Sequence, residues 1–176
     1  MSGIVGAESK STVKIGLDLA GNCAITVVGV NVSGSVSNGL SVAYEAEFGS
    51  ENTNTGIGFV YLVPRDNVSF LTVYGLLKPR LTDKNYLVGQ LGYSLLFFDT
   101  TDLNSVMRGI TATFTGDIYY GLGLGFLLDN NSQIEILYSM TKGKGTFNFP
   151  GCYSVPFTIP FTIDYSKITL SYGFKL

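Results

Sequence analysis

The feature that most constrains this chain is an alternation, residue by residue, between large apolar side chains and small or polar ones. In the run 120–126, three glycines separate the apolar residues Tyr120, Leu122, Leu124 and Phe126. A period of two is the period of a β-strand, because successive side chains point to opposite faces. The pattern therefore predicts an all-β chain whose strands have two unlike faces.

Eight runs of this kind predict eight strands, at about 13–20, 25–36, 42–48, 68–81, 87–97, 120–128, 134–141 and 168–174. An even number of strands can close into an up-and-down antiparallel barrel. Three connections are short and rich in Asn, Asp, Ser and Gly, as tight turns are: 37–39, 82–85 and 129–131. The segments 49–67, 99–116 and 143–161 are predicted to be long loops, and residues 21–24 a short first outer loop. Short turns at one end and long loops at the other are typical of outer-membrane barrels.

Composition decides which face of the barrel points outward. Only 14% of the residues are charged, while the chain has 22 Gly, 12 Phe and 11 Tyr. A face built of glycine makes a poor water-contacting surface, but small residues suit the crowded interior of an eight-stranded barrel. We therefore predict apolar side chains facing lipid and small or polar ones in the lumen, within a single domain that spans residues 1–176 and has a flexible segment at 1–10. The barrel must close, since lipid cannot satisfy unpaired backbone groups.

The last predicted strand alternates Ile168, Leu170, Tyr172 and Phe174 with smaller residues. It resembles the C-terminal strand of bacterial outer-membrane barrels, although Lys175 and Leu176 follow the final Phe. The segments 38–45 and 119–131 are similar to turn-and-strand units of small barrels such as the OmpA transmembrane domain and OmpX. The resemblance implies a monomeric barrel in the outer membrane of a Gram-negative cell, in contact with outer-membrane lipids and lipopolysaccharide. It also implies that strand 168–174 is the signal recognised by the barrel-assembly machinery, and it implies no particular activity.

Charged residues on the predicted inner face form the most specific candidate site. They are Lys14, Asp18, Glu45, Glu47 and Glu135, with Lys78, Arg80 or Lys167 as partners, and we include Arg80 in the predicted network. Buried carboxylates require cations or several hydrogen bonds. Two interpretations stay open, a polar plug that fills the lumen and an ion path through it, and the narrow lumen of eight strands favours the plug.

Cys23 and Cys152 fall in the predicted first and last outer loops. The first and last strands of a closed barrel are neighbours, so these two loops should meet. A disulfide is chemically permitted outside the cytoplasm. The alternative is two unpaired thiols, and the sequence favours the disulfide slightly.

The composition also narrows the classes of function. The absence of His excludes catalysis by Ser-His and Cys-His pairs, and 11 Lys and Arg against 13 Asp and Glu give no basic surface for nucleic acid. We expect no enzyme, cofactor or metal. No secretory signal opens the chain, so we expect the mature form of an exported protein. The predicted function is a structural or surface-interaction role through extracellular loops that meet a surface ligand. The alternatives are a narrow channel for ions or small solutes, a lipid-modifying enzyme and a soluble ligand-binding barrel.

Overall fold

The computed structural model describes residues 8–49, 52–65, 68–98, 111–128, 131–149 and 157–176. Nine antiparallel strands fill most of these ranges: β1 (Glu8–Val27), β2 (Val30–Val36), β3 (Gly39–Gly49), β4 (Thr53–Arg65), β5 (Val68–Pro79), β6 (Asn85–Phe98), β7 (Thr111–Leu127), β8 (Ser132–Phe149) and β9 (Phe157–Lys175). No helix in the described ranges is both long and apolar enough to cross a membrane.

The strands follow one another around a closed barrel, with β1 paired to β9. β2 and β3 are two pieces of one barrel strand, because both pair with β1 in a single register that includes Gly21↔Val36 and Asp18↔Gly39. A tight turn at Val28 and Gly29 joins β1 to β2, and the positive φ of both residues is that of a two-residue hairpin turn. The wall of the barrel therefore consists of eight strands, and the predicted all-β, eight-stranded, up-and-down transmembrane barrel is confirmed.

The predicted make-up of the eight strands was wrong in the first third of the chain. The predicted turn 37–39 does not join two strands: Ser37 and Asn38 interrupt a single barrel strand, and Gly39 already begins β3, although Ser-Asn-Gly is a typical turn sequence. Residues 21–24 lie inside β1, whose register on β9 shifts between Leu19 and Asn22, so a bulge breaks the alternation there. The predicted loop 49–67 contains β4, whose polar, Gly-containing start hides the apolar residues Ile57, Phe59 and Tyr61 that follow.

Three other predicted segments, one flexible and two loops, also contain strand residues. Glu8–Lys10 form the start of β1, within the segment expected to be flexible. The predicted loop 99–116 ends at β7, which begins at Thr111. The predicted loop 143–161 is strand up to Phe149 and again from Phe157.

The two ends of the barrel differ. The lower end, as we name it, is where β1 begins and β9 ends, and it carries the short connections 50–52, 80–84 and 128–131. The upper end carries the Val28–Gly29 turn and the connections 66–67, 99–110 and 150–156.

An apolar belt surrounds the barrel from its lower end up to the last rungs that β3 and β6 form with β1 and β7. Its side chains point outward and are exposed, 68% in the case of Leu122 and 62% for Leu91 and Ile57. The alternate residues point inward and are buried, among them Thr12, Ser94, Gln133 and Ser139. The predicted direction of the two faces is therefore confirmed for this part of the barrel.

Above the belt, five strand segments form what we call the upper wall. They are the upper parts of β1 and β2 with the turn between them (21–36) and the upper parts of β7 (111–117), β8 (142–149) and β9 (157–166). These segments pair with one another. They lie above the point where the β1–β3 ladder ends, at Asp18↔Gly39, and above the point where the β6–β7 ladder ends, at Ser94↔Asp117. Here the polarity of the faces is reversed. Phe161, Ile163 and Tyr165 point inward and are buried, while Thr162 and Asp164 point outward.

Candidate functional site

The lumen of the lower barrel holds a cluster of five charged side chains from four strands. The Lys14 ammonium lies 2.5 Å from a carboxylate oxygen of Glu135 and 2.6 Å from one of Glu45. Lys78 donates to Glu45 and Glu47, each at 2.6 Å, and its Nζ lies 3.0 Å from Glu135. All five side chains are at most 5% exposed, so we name them the lumen ion cluster.

Neutral donors complete the coordination of the carboxylates. Tyr74 donates to Glu45 at 2.9 Å, and Tyr86 donates to Glu135 at 2.8 Å. Amides do the same: Gln90 to Glu45, Gln133 to Glu135 and Asn54 to Glu47. Three carboxylates meet only two ammonium groups here, and these hydroxyl and amide donors hold the surplus negative charge. Burial of unpaired charge is costly, so the cluster stabilises the barrel only as a complete unit.

A separate ion pair lies in the lumen beside the lumen ion cluster. Lys167 donates to Asp18 at 2.7 Å, and the hydroxyls of Thr169 and Ser41 donate to the same carboxylate oxygen at 2.6 and 3.2 Å. Together, the lumen ion cluster and the Asp18–Lys167 pair bring charged side chains from β1, β3, β5, β8 and β9 into the lumen.

Little free space remains between these side chains. A cavity of about 40 Å³ lies beside Lys14, Glu45 and Lys167. That volume holds a few water molecules at most and is far from a continuous pore. Gly125 shows how closely the lumen is packed, because a Cβ at this position would lie 2.1 Å from the ring of Tyr86. Gly125 therefore makes room for the inward ring of Tyr86, whereas Gly123 allows the close approach of the Ile136 backbone.

The structure places five of the six predicted network residues in the lumen and one elsewhere. Lys14, Asp18, Glu45, Glu47 and Glu135 are buried there. Arg80 instead lies exposed at the lower end, where its backbone N–H donates to the carbonyl of Asn52. Lys78, two residues earlier, takes the position on the inner face.

Sequence reasoning missed two inward tyrosines, Tyr74 of β5 and Tyr86 at the start of β6. Because β5 is apolar on both faces, its parity could not be assigned from hydropathy. The signal that could have fixed it is Lys78, since a lysine in the middle of a lipid-facing surface is costly and so points into the lumen. Thr72, Tyr74 and Leu76 share its parity and are all buried.

An apolar cap closes the upper end of the lumen. Its buried members are Leu62, Phe70, Leu96, Phe161, Ile163 and Tyr165. The Phe161 ring lies 4.5 Å from that of Phe147 and 5.5 Å from that of Phe114, measured between centroids. Cys23, which is half buried, packs against this cap from β1. Cys152 lies outside the described residues, so the disulfide between the two stays a prediction.

No protein-family model matches the sequence, and no curated protein matches it. Solved structures do. Ail, the attachment invasion locus protein of Yersinia pestis, aligns with a TM-score of 0.53 and 14% identity over 96% of this chain and 99% of Ail. The chain has the fold of the small outer-membrane β-barrels.

Two further structures support this conclusion. The outer membrane protein OprG from Pseudomonas aeruginosa aligns with a TM-score of 0.52 and 13% identity, over 96% of this chain and 98% of OprG. Neisserial surface protein A aligns with a TM-score of 0.50 and 10% identity, over 96% of this chain and 99% of that protein. At such identities the similarity establishes the fold alone. The resemblance to small outer-membrane barrels noted in the sequence is confirmed at that level.

As in any such barrel, the last strand closes the sheet against the first. Ile168, Leu170, Tyr172 and Phe174 lie on the outward face of β9, in the part that pairs with Val13–Leu19 of β1. Tyr172 and Phe174 pack edge to face with centroids 4.6 Å apart. Among the described residues, no three His, Cys, Asp or Glu side chains are arranged to hold a metal ion.

Proposed function

We propose that the protein is an integral outer-membrane barrel with a closed lumen, which acts structurally and through the surface that its upper wall presents outside the cell. The observation that supports this most is the lumen ion cluster, in which Lys78 contacts three carboxylates and Lys14 contacts two. The alternative, a narrow channel, would require a path through these groups. Each of them is held by at least two partners, so a passing ion would have to replace several short contacts at once.

The orientation follows from the two ends. Short connections and both chain termini occupy the periplasmic side in small outer-membrane barrels. The lower end of this barrel would therefore face the periplasm, and the upper wall would stand above the outer leaflet. In this orientation the outward residues Ile168, Leu170, Tyr172 and Phe174 would form the assembly signal for a monomer that inserts in contact with outer-membrane lipids.

The outer face of the upper wall indicates the kind of partner it suits. It carries hydroxyl and amide side chains such as Asn31, Ser33 and Thr162. Its lysines are paired with acids, Lys144 with Asp117 at 2.6 Å and Lys142 with Asp164 at 3.8 Å. Ail has been solved with a heparin analogue, a polyanion, but these pairings leave no basic patch of the matching kind on the described wall. The polar, balanced face fits the neutral sugars of lipopolysaccharide better.

The closed lumen is testable by electrical recording in planar lipid bilayers. We expect the unmodified protein to show no conductance steps. The triple variant Glu45→Ala/Lys78→Ala/Phe161→Ala removes opposite charges together, vacates space next to the existing cavity and truncates the apolar cap above it, so it should conduct. Both proteins must first shift in mobility between unheated and boiled samples on SDS gels, which shows that the barrel is closed.

Conductance steps in the unmodified protein would contradict the proposal and favour the channel. If the folded triple variant is also silent, the lumen ion cluster and the apolar cap are not what closes the barrel.

A further inference from the structure

The wall of the barrel has a gap between β6 and β7 at the upper edge of the apolar belt. Their ladder ends at Ser94↔Asp117, although β6 continues to Phe98 and β7 begins at Thr111. The register of β7 on β8 shifts between Gly116 and Tyr119, which marks a bulge just at this point. Bulges bend a strand and increase its twist, so β7 turns away from β6 above the bulge.

The last contact below the gap is tight. A Cβ on Gly116 would lie 1.7 Å from the carbonyl oxygen of Ser94, so only glycine fits here. The Tyr93 hydroxyl donates to the Gly116 carbonyl at 2.7 Å. The two strands are thus fixed together at Gly116 and diverge immediately above it.

A pocket of about 500 Å³ fills the space where they diverge. Its lining includes side chains from both faces of the wall. Tyr93, Leu95 and Phe97 point outward and are about half exposed, at 51%, 45% and 49%. Leu96 and Phe114 point inward and belong to the apolar cap or pack against it. The pocket therefore leads from the lipid-facing surface to the apolar interior of the upper end.

The chemistry of the lining is apolar. No charged side chain is among the described residues that line the pocket. The side-chain hydroxyls of this lining are engaged, that of Tyr93 with Gly116 as above, and that of Thr115 with the Lys144 carbonyl at 3.2 Å. A ligand here would gain contact area without taking a partner from either hydroxyl. The volume is within the usual range of small-molecule pockets, about 300–1,000 Å³.

We propose that this side pocket binds a hydrocarbon chain from the membrane, the acyl chain of a surrounding amphiphile. The membrane is the source because the mouth opens among the exposed side chains of Tyr93, Leu95 and Phe97, at the top of the apolar belt. The neighbouring Asp117–Lys144 pair marks the level at which the outer surface turns polar. The pocket begins at this level, so an acyl chain would enter it from the top of the apolar belt, and the part of the chain inside the pocket would lie beside the upper wall, above the ion pair.

The pocket does not depend on the closed lumen proposed above. Its floor is the apolar cap, and the Asp18–Lys167 pair and the lumen ion cluster lie below the cap. The proposal is for a binding site in the wall, and it stands or falls separately from conductance.

Methyl NMR of the protein in phosphatidylcholine nanodiscs tests the proposal, with leucine methyl groups labelled and a trace of doxyl-labelled stearate added. Leu96 should be broadened more than Leu137, which is also inward and buried but does not line the pocket. Unlabelled stearate should reduce the broadening at Leu96 to the level of Leu137. Leu91, an outward residue of the same strand, should keep its broadening, because its contact with bulk lipid does not saturate.

A matched pair of variants locates the effect. Thr115 lines the pocket and Thr113, two residues away, does not, and both are exposed. Thr115→Trp should abolish the displaceable broadening at Leu96, and Thr113→Trp should preserve it. The proposal is overturned if Leu96 is broadened no more than Leu137, if stearate fails to displace the label, or if both variants behave alike. Displacement by tetradecane but not by stearate would also overturn it, since the ligand would then be a free hydrocarbon.

Discussion

The lower barrel and the upper wall use the same strands with opposite polarity. In β9, the lower part turns Lys167, Thr169 and Ser171 inward and Ile168, Leu170 and Tyr172 outward. A few residues earlier, Phe161, Ile163 and Tyr165 point inward, and Thr162 and Asp164 point outward. The backbone pattern does not change between the two regions. The medium outside the wall changes, and the inner face follows it.

This comparison shows that the two regions are held together differently. Lipid outside the lower barrel offers no gain from burying apolar side chains, so the lumen is free to hold ion pairs and hydrogen bonds. With water outside the upper wall, as proposed above, apolar burial is favourable there, which would account for the aromatic and aliphatic cluster in its interior. The predictions below are meant to separate the two kinds of stabilisation.

The largest expected effect comes from removing one cation of the lumen ion cluster. Lys78→Met leaves Glu45, Glu47 and Glu135 with Lys14 as their only cation in the cluster. Breaking a buried ion network on one side costs about 3–5 kcal/mol of unfolding free energy. Urea unfolding of the protein folded into lipid vesicles measures this loss.

The matched control is Lys142→Met in the upper wall. Lys142 is 44% exposed and its Nζ lies 3.8 Å from Asp164. An exposed pair of this kind contributes about 0–1 kcal/mol. Equal losses in the two variants would mean that the lumen ion cluster stabilises the barrel no more than a surface pair does.

A comparable loss is expected from truncating the centre of the apolar cap. Phe161 is 3% exposed, and its ring contacts those of Phe114 and Phe147. Phe161→Ala should cost about 3–5 kcal/mol, because it removes buried apolar area and leaves a cavity. The same urea titration serves, with Phe126→Ala, an outward residue of the apolar belt, as the comparison. If Phe126→Ala costs as much, the cap is not a separate hydrophobic core.

The sequence predicted the inward charges of the lower barrel well where the alternation is clear. Lys14, Glu45 and Glu135 could be placed in the lumen from parity alone, and they lie there. The number of strands came out right because two errors cancelled: β2 and β3, two pieces of one barrel strand, were counted as two strands, and β4 was taken for a loop. The cations that pair with these carboxylates were harder to predict, because partners such as Lys78 come from a strand without a clear polar face.

The upper end could not be predicted from the same rules. The alternation shifts by one residue at the bulges near Leu19 and Gly116, and a local period cannot show on which side of a bulge a strand continues. The break at Ser37 and Asn38 looks like a turn, but continuous pairing of β1 on both sides of it keeps one strand straight. The apolar segments 147–149 and 157–161 were predicted to be part of a long loop, but they are the paired ends of β8 and β9, and the ring of Phe149 stacks on that of Phe157. Phe161 belongs to the apolar cap and Phe147 packs against it, which accounts for the apolar character of these segments.

A charge placed on the outer face should distinguish the two regions most directly. Leu122 lies in the middle of the apolar belt and is 68% exposed, so Leu122→Arg would put a guanidinium into lipid. A cation at the midplane costs about 2–4 kcal/mol in a membrane barrel. Thr162→Arg makes the same kind of change on the outer face of the upper wall, where water is expected, and surface substitutions there should stay within about 0.5 kcal/mol. Refolding into vesicles followed by urea titration compares the two variants.

Two outcomes would contradict the expected contrast. If both variants are equally destabilised, lipid reaches Thr162 and the upper wall is not above the membrane. If neither variant is destabilised, the belt at Leu122 does not face lipid. The contrast between these two positions therefore tests the boundary between the regions independently of their interiors.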